Sequence, residues 1–243
     1  RPGDIFFLNG AFPPTAEEIQ AHTPSPVIFG EASVARPYTA PSLFNISAMS
    51  YGALSGPAIS ALSQGAYQSG IWLNTGEGGL SPFHRQAPCD LVFQIGTAKY
   101  GVRDEQGRLD AVKLTELAAI PEIKMFEIKL SQGAKPGKGG ILPGEKVTEV
   151  IASTRGIPAG QDSISPNRHP EVTSVESLLD LIATVRDVSK KPTGIKFVLG
   201  QTQWLDDFCA AIHTRGIDSA PDFITLDSAD GGTGAAPQGL MDN

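Results

Sequence analysis

The stretch KMFEIKLSQGAKPGKGG (Lys124–Gly140) decides how this chain folds. A short apolar run of strand length leads into a glycine-rich loop that carries Lys135 and Lys138. Residues two apart in a strand share a face. Phe126, Ile128 and Leu130 therefore line one side and suit a cover of helices, while Glu127, Lys129 and Ser131 line the other. Charges on the inner side of such a strand are costly unless something of opposite sign meets them. Lys129 is thus expected either to close an internal ion pair with a carboxylate of a neighbouring strand or to serve a site.

The same pattern repeats on both sides of this stretch. LFNISAMS (43–50), IWLNTGEGG (71–79), LVFQIGTA (91–98), TGIKFVLG (193–200) and DFITLDSADGGTG (222–234) read as further strands. Helical periodicity falls between them. Ser55 caps one helix, with Pro57 in its first turn, Ile59, Leu62 and Ala66 along a stripe, and Gly70 as the stop. VKLTELAAI (112–120) and EKVTEVIAST (145–154) are shorter. Ser174 caps the clearest helix, whose stripe is Val175, Leu178, Leu179, Ile182 and Val185. A last helix places Leu205, Phe208, Cys209 and Ile212 on one face.

Strand-then-helix order implies an α/β protein with parallel strands and crossover helices. An open doubly wound sheet concentrates its site at one switch point. A (β/α)8 TIM barrel builds its site from many strand-end loops. Nearly every strand here ends in polar or glycine-rich sequence, as in SAMSYG, NTGEGG, SQGAKPGKGG and DGGTG. The barrel is therefore expected, incomplete, with about six of its eight strands. Residues 1–42, rich in proline, read as an extended lead-in, and 43–243 as the partial barrel domain. The chain begins without Met and ends in polar sequence, which reads as a piece of a longer protein.

The glycines of GEGG, GKGG and DGGTG serve either tight turns with positive φ or a cradle of backbone amides for a phosphate or a flat ring. AKPGKGG lacks the Walker pattern, and no G-x-G-x-x-G follows the first strand. In the fifth strand Ile195, Phe197 and Leu199 share the outer face, so Lys196 points inward, near the end where barrel sites lie.

Bulk composition removes several function classes. The net charge of the 243 residues is −7, without the basic footprint of a nucleic-acid binder. Cys89 and Cys209 are too few for a four-cysteine metal site or an iron–sulfur cluster, and no metal ligands are assigned. Absence of a disulfide framework fits a reducing, cytoplasmic setting. No apolar run reaches the roughly 18 residues of a membrane span. RPGDIFFLNG has no signal-peptide pattern.

SAMSYGALS, NTGEGG, EIKLSQGAKPGKGGILPG, SISP and DGGTGAAP, in this order, resemble the FMN-binding synthase domain of glutamate synthase, and more closely its relatives without a glutaminase domain. The resemblance runs over about residues 40–238. It implies an FMN-dependent oxidoreductase of glutamate and amino-acid biosynthesis, reducing 2-iminoglutarate in a (β/α)8 barrel. By the same resemblance Ala48, Met49 and Ser50 lie along the flavin ring, Gln94 meets its pyrimidine edge, Lys196 stabilises the reduced flavin, and Gly231, Gly232 and Thr233 flank the cofactor. Glu77, Lys135 and Arg155 match positions that hold a small acidic substrate such as 2-oxoglutarate or its imine. Without the resemblance, Arg155 reads as a helix C-terminal charge.

Ile141 departs from the pattern, since glutamate synthases usually carry glutamine there. His169 is retained in a divergent stretch, SPNRHPEV. His22, His84 and His213 read as ordinary loop or helix-surface residues. The family's iron–sulfur cysteines and the last barrel strands, which usually bind the flavin phosphate, fall beyond this chain, and the electron donor is unassigned. Other FMN barrels, such as hydroxyacid oxidases or a flavin-dependent isopentenyl diphosphate isomerase, and an inactive truncated scaffold are the alternatives.

Overall fold

Local sequence signals set the helices of this chain, and the parallel strand order sets how they are arranged. The computed structural model describes residues 11–21, 26–134 and 139–227. Ahead of the barrel lie α1 (Ala16–Ala21) and the antiparallel pair β1 (Val27–Phe29) and β2 (Tyr38–Ala40). In chain order follow α2 (Gly56–Ser69), β3 (Leu73–Asn74), β4 (Leu91–Ile95), α3 (Ala111–Ala118), β5 (Ile123–Lys129), β6 (Ile141–Leu142), α4 (Glu149–Arg155), β7 (Ser163–Ile164), α5 (Val175–Ser189), β8 (Thr193–Val198), α6 (Gln203–Arg215) and β9 (Ile224–Asp227).

Strands β3, β4, β5, β8 and β9 form one parallel sheet in that order. The sheet curls with its helices into part of a (β/α)8 barrel, as the strand-end loops imply. The run expected as a full strand at 43–50 makes only an isolated bridge, Ile46 to Leu73, extended by Met49 N–H donating to Asn74 O at 3.1 Å. Among the described residues no strand pairs with the far side of this run, so nothing enforces a regular ladder there.

The helix caps form as the sequence indicates. Ser55 Oγ accepts from Ala58 N–H, and Gly70 closes α2 at φ 63°. Ser174 and Ser177 make a reciprocal capping box at the start of α5. Leu178, Leu179, Ile182 and Val185 of α5 are buried together with Phe93, Phe126, Ile128, Ile195 and Phe208. On α6 the stripe is narrower than expected: Phe208 and Ala211 are buried, whereas Cys209 is exposed. Helix α6 packs against α5, the turn at Ile217–Ser219 and, through Trp204, Phe197 of β8.

Strand β5 is buried on both faces, and only Lys124 near its start is partly exposed. Phe126 and Ile128 join the layer of helix-packed residues, while Glu127 and Lys129 point to the barrel axis. Beyond the sheet, β6 and β7 pair antiparallel, and Ser165 N–H donates to Gly140 O at 2.8 Å. This small ribbon stands at the strand-end face of the barrel.

Candidate active site

The inward faces of four strands meet in a polar floor. Glu127 Oε1 accepts from Asn74 Nδ2 at 2.8 Å and Gln94 Nε2 at 2.7 Å, and its Oε2 accepts from Thr225 Oγ1 at 2.6 Å. The three donors come from β3, β4 and β9, so one buried carboxylate ties the strands around it. Such a group is tolerated in the interior because every contact it makes is a donor.

Above this floor lies a cavity of about 310 Å³, lined by Ala48, Met49, Ser50, Glu77, Gln94, Lys129, Lys196 and Asp227, among others. Lys129 Nζ pairs with Glu77 Oε1 at 3.1 Å and also donates to Gln132 Oε1. The ion pair anticipated for Lys129 thus exists, and its partner stands on the loop after β3, across β4. Lys196 Nζ lies 3.5 Å from Asp227 Oδ1, whose Oδ2 accepts from Gly133 N–H at 2.9 Å. Asp227 therefore anchors the loop after β5 while it faces Lys196.

Glycine makes two close approaches possible. Gly76 has φ 67°, and a Cβ there would stand 2.6 Å from Ser50 N. A Cβ on Gly96 would stand 2.7 Å from Glu77 Cβ. The wall at 48–50, the turn into Glu77 and the end of β4 can close on one cavity only because both side chains are missing.

His84 holds the wall from behind, a role the sequence did not disclose. It reads in the sequence as an ordinary loop or helix-surface residue; it does lie in a turn, but its side chain is fully buried. Nε2 lies 2.8 Å from Met49 O, and a carbonyl only accepts, so Nε2 carries the proton. Nδ1 then accepts from Ser81 N–H at 3.2 Å and from Ser81 Oγ at 2.8 Å. Burial pushes its pKa below the ordinary histidine value, in keeping with a neutral ring. His169 is also buried. Its Nε2 donates to Lys129 O at 2.9 Å, and burial lowers its pKa too. His213 is exposed, and His22 lies outside the described residues.

Arg155 ends α4 but its guanidinium turns inward rather than to solvent. Nη1 donates to Ser163 Oγ at 3.0 Å and Nη2 to Tyr51 O at 3.4 Å, with Cζ 4.9 Å from the Tyr100 ring centroid. Burial lowers its pKa, opposed by Tyr100 and Glu77. It is packed behind the Tyr51–Gly52 turn and is not among the residues lining the cavity.

Of the expected site residues, the cavity collects Ala48, Met49, Ser50, Glu77, Gln94 and Lys196. Lys135, Gly231, Gly232 and Thr233 lie outside the described residues. Ile141 is exposed on β6, where it pairs with Ile164. A broader groove of about 830 Å³, lined by parts of α3 and α4, contains none of the inward strand-end residues. Among the described residues no cluster of three or more His, Cys, Asp or Glu is placed to hold a metal, and no helix is long and apolar enough to cross a membrane.

Comparison with known proteins identifies the family. Residues 14–243 match the family model described as the conserved region in glutamate synthase. The chain is 40% identical over 233 residues to the glutamate synthase large subunit-like protein YerD of Bacillus subtilis (strain 168), covering 93% of this chain and 44% of that protein. It is 38% identical over 198 residues to the archaeal-type glutamate synthase [NADPH] of Thermotoga maritima, covering 81% of this chain and 35% of that protein. A glutamate synthase large subunit-like protein of Rhizobium meliloti is 33% identical over 220 residues, with 89% and 45% covered. The chain thus spans less than half the length of each of these relatives. With a family model matched over nearly all of its residues, the chain belongs to the glutamate synthase family.

Proposed function

We propose that this chain carries the catalytic barrel of a glutamate synthase-type oxidoreductase that binds FMN and reduces a 2-imino acid, such as 2-iminoglutarate, to the amino acid. The observation that carries the reading is the convergence of Ala48, Met49, Ser50, Glu77, Gln94 and Lys196 on one cavity, from four separate segments of the chain. Residues 43–243 act as the partial FMN barrel, and 1–42 as its lead-in.

The residues present fit a flavin. Ala48–Ser50 offers a backbone wall for a flat ring. Gln94 and Lys196 offer an acceptor and a cation for its polar edge. FMN, when bound, supplies a two-electron hydride carrier. The Lys196 ammonium stabilises negative charge on the reduced ring. Conversion of C=N to CH–NH2 takes a hydride at carbon and a proton at nitrogen, and the Glu77 carboxyl, paired with Lys129, is the group that holds or passes that proton. Lys135 serves a substrate carboxylate, Gly231, Gly232 and Thr233 flank the cofactor, and Arg155, engaged by Ser163 and Tyr51 O, supports the wall from behind. An iron–sulfur cluster belongs only to a longer chain. The setting is cytoplasmic, and a reductant of unassigned class restores the flavin.

Titration of FMN into the full chain, followed by flavin absorbance and fluorescence, tests this reading. Saturable binding is expected, weakened on the order of tenfold in Lys196→Ala through loss of one charge-assisted contact. Reoxidation of the reduced protein by 2-oxoglutarate plus ammonia is the second expected result. A protein of the relatives' full length that ignores FMN overturns the reading.

Two observations favour a second substrate. Arg155 is engaged by Ser163, Tyr51 and Tyr100 behind the cavity wall, and the exposed Ile141 stands where the resemblance expects glutamine. A different small acidic 2-oxo acid then takes the site. Faster reoxidation by another 2-oxo acid than by 2-oxoglutarate would select this reading.

A further inference from the structure

We infer that Glu127 is a positioning residue that sets the hydrogen-bond polarity of the cavity floor, so that the site selects a ligand presenting an N–H donor to Gln94. The identity of that ligand as a flavin rests on the function proposed above.

A carboxylate only accepts, so each side-chain amide that meets Glu127 must turn its NH2 group toward it. Asn74 and Gln94 both do so, at 2.8 and 2.7 Å. Their carbonyl oxygens are thereby directed elsewhere. Asn74 Oδ1 accepts from Gly76 N–H at 3.0 Å, which fixes the turn leading into Glu77. Gln94 Oε1 has no partner among the described residues, and Gln94 lines the cavity. Its backbone is fixed as well, with Gln94 N–H donating to Thr75 Oγ1 at 3.1 Å. Rotation of the amide to offer NH2 upward would set Gln94 Oε1 against the Glu127 carboxylate, acceptor against acceptor. The floor therefore presents an acceptor, while Lys196 in the same cavity presents a cationic donor.

An acceptor and a cation in one cavity suit a ring edge of the form C(=O)–NH–C(=O), with its N–H on Gln94 and a carbonyl on Lys196. The flavin pyrimidine ring has such an edge at N3. A neutral residue at 127 would lift the constraint, because a side-chain amide there can donate to Gln94 Oε1 and let the Gln94 NH2 face the cavity.

The test compares FMN with N3-methyl-FMN, which lacks the N–H, as ligands of the wild type, Glu127→Gln and Gln94→Ala. Wild type is expected to prefer FMN by about tenfold, the worth of one buried hydrogen bond. In Glu127→Gln the preference is expected to fall toward unity, with thermal melting verifying that the variant is folded. A clash with the added methyl group alone would leave the preference in Glu127→Gln unchanged, and that result overturns the inference. If Glu127→Gln does not fold, Gln94→Ala decides: loss of the preference supports the inference, and its persistence overturns it. Equal wild-type affinity for the two flavins overturns the inference while the flavin reading stands, whereas binding of neither overturns both.

Discussion

His84 Nε2 donates to the main-chain oxygen of Met49 at 2.8 Å, across 35 positions of sequence and from a fully buried ring. The wall of the candidate site is thus held by a side chain that does not itself line the cavity. His84→Leu leaves Met49 O and Ser81 Oγ without their partner. A loss of about 1–3 kcal/mol of stability is expected from buried polar groups left unpaired, read from the urea midpoint. Flavin affinity should fall as well, since Met49 and Ser50 lose their anchor. Unchanged affinity in the folded variant would mean that the wall needs no such support.

Acid should weaken the fold through both buried histidines. Burial sets the folded-state pKa of His84 and of His169 below the ordinary value of 6.5. Between the lowered value and 6.5 the unfolded chain binds more protons than the folded one, so stability rises with pH across that window and levels off above it. Moving from about pH 7.5 to about pH 5.5 should lower the urea midpoint, through a stability loss of at most about 1.4 kcal/mol per pH unit for each ring. His84→Gln should show a shallower dependence than wild type, and an equal slope would remove His84 from the account.

Lys191 predicts the opposite end of the pH scale. Its ammonium is buried against Ile120 O and Ile123 O, and burial lowers its pKa to about 8, helped by Arg36 and Lys124. The folded protein gives up this proton more readily than the unfolded chain, whose value is 10.5. Stability contributed by this group is therefore expected to rise between about pH 8 and 10.5. Comparison of wild type with Lys191→Met in urea at about pH 8 and about pH 10 isolates the effect, which should be absent from the variant.

Gly76→Ala should damage the site more than its size suggests. The residue has φ 67°, and the new Cβ would meet Ser50 N at 2.6 Å. A cost above about 1 kcal/mol is expected from the backbone conformation alone. The wall must also retreat from Glu77, so flavin affinity should fall together with the melting temperature. An alanine variant with wild-type melting and binding would contradict the close approach.

Arg155→Met separates a structural arginine from one that touches ligand. Ser163 Oγ, Tyr51 O and the Tyr100 ring all lose a partner, and a stability loss of about 1–3 kcal/mol should follow. FMN affinity should stay within about twofold, because the side chain does not line the cavity. A large loss of FMN affinity with an unchanged urea midpoint would reverse this assignment.

The barrel is legible in the sequence because strand periodicity and strand-end loops report the same architecture. Lys196 stands where alternation puts it, Glu77 faces the same cavity at a position that only the family resemblance singles out, and the caps at Ser55 and Ser174 form from purely local chemistry. The run at 43–50 reads as a full strand because an apolar run does not reveal whether a partner lies on both sides; Ile46 has a bridge on one side only. His84 escapes notice because its surroundings, Ser-Pro-Phe before it and Arg-Gln after, resemble a surface turn. Its burial comes from Met49 and Ser63, remote in sequence. Glu127 announces itself as an inward acid, but its three donors come from three other strands, and no local pattern could supply them.

The segment after β7 is fastened at successive points: Pro166 O to Thr97 Oγ1, Asn167 Oδ1 to Gly139 N–H, His169 to Lys129 O, and Glu171 to Lys99. Three of these fastenings reach the ends of β4 and β5 or the loop just beyond, and the fourth reaches Gly139, just ahead of β6. The consequence is mechanical. Displacing this part of the rim would break these contacts or carry the end of β5, and Lys129 with it.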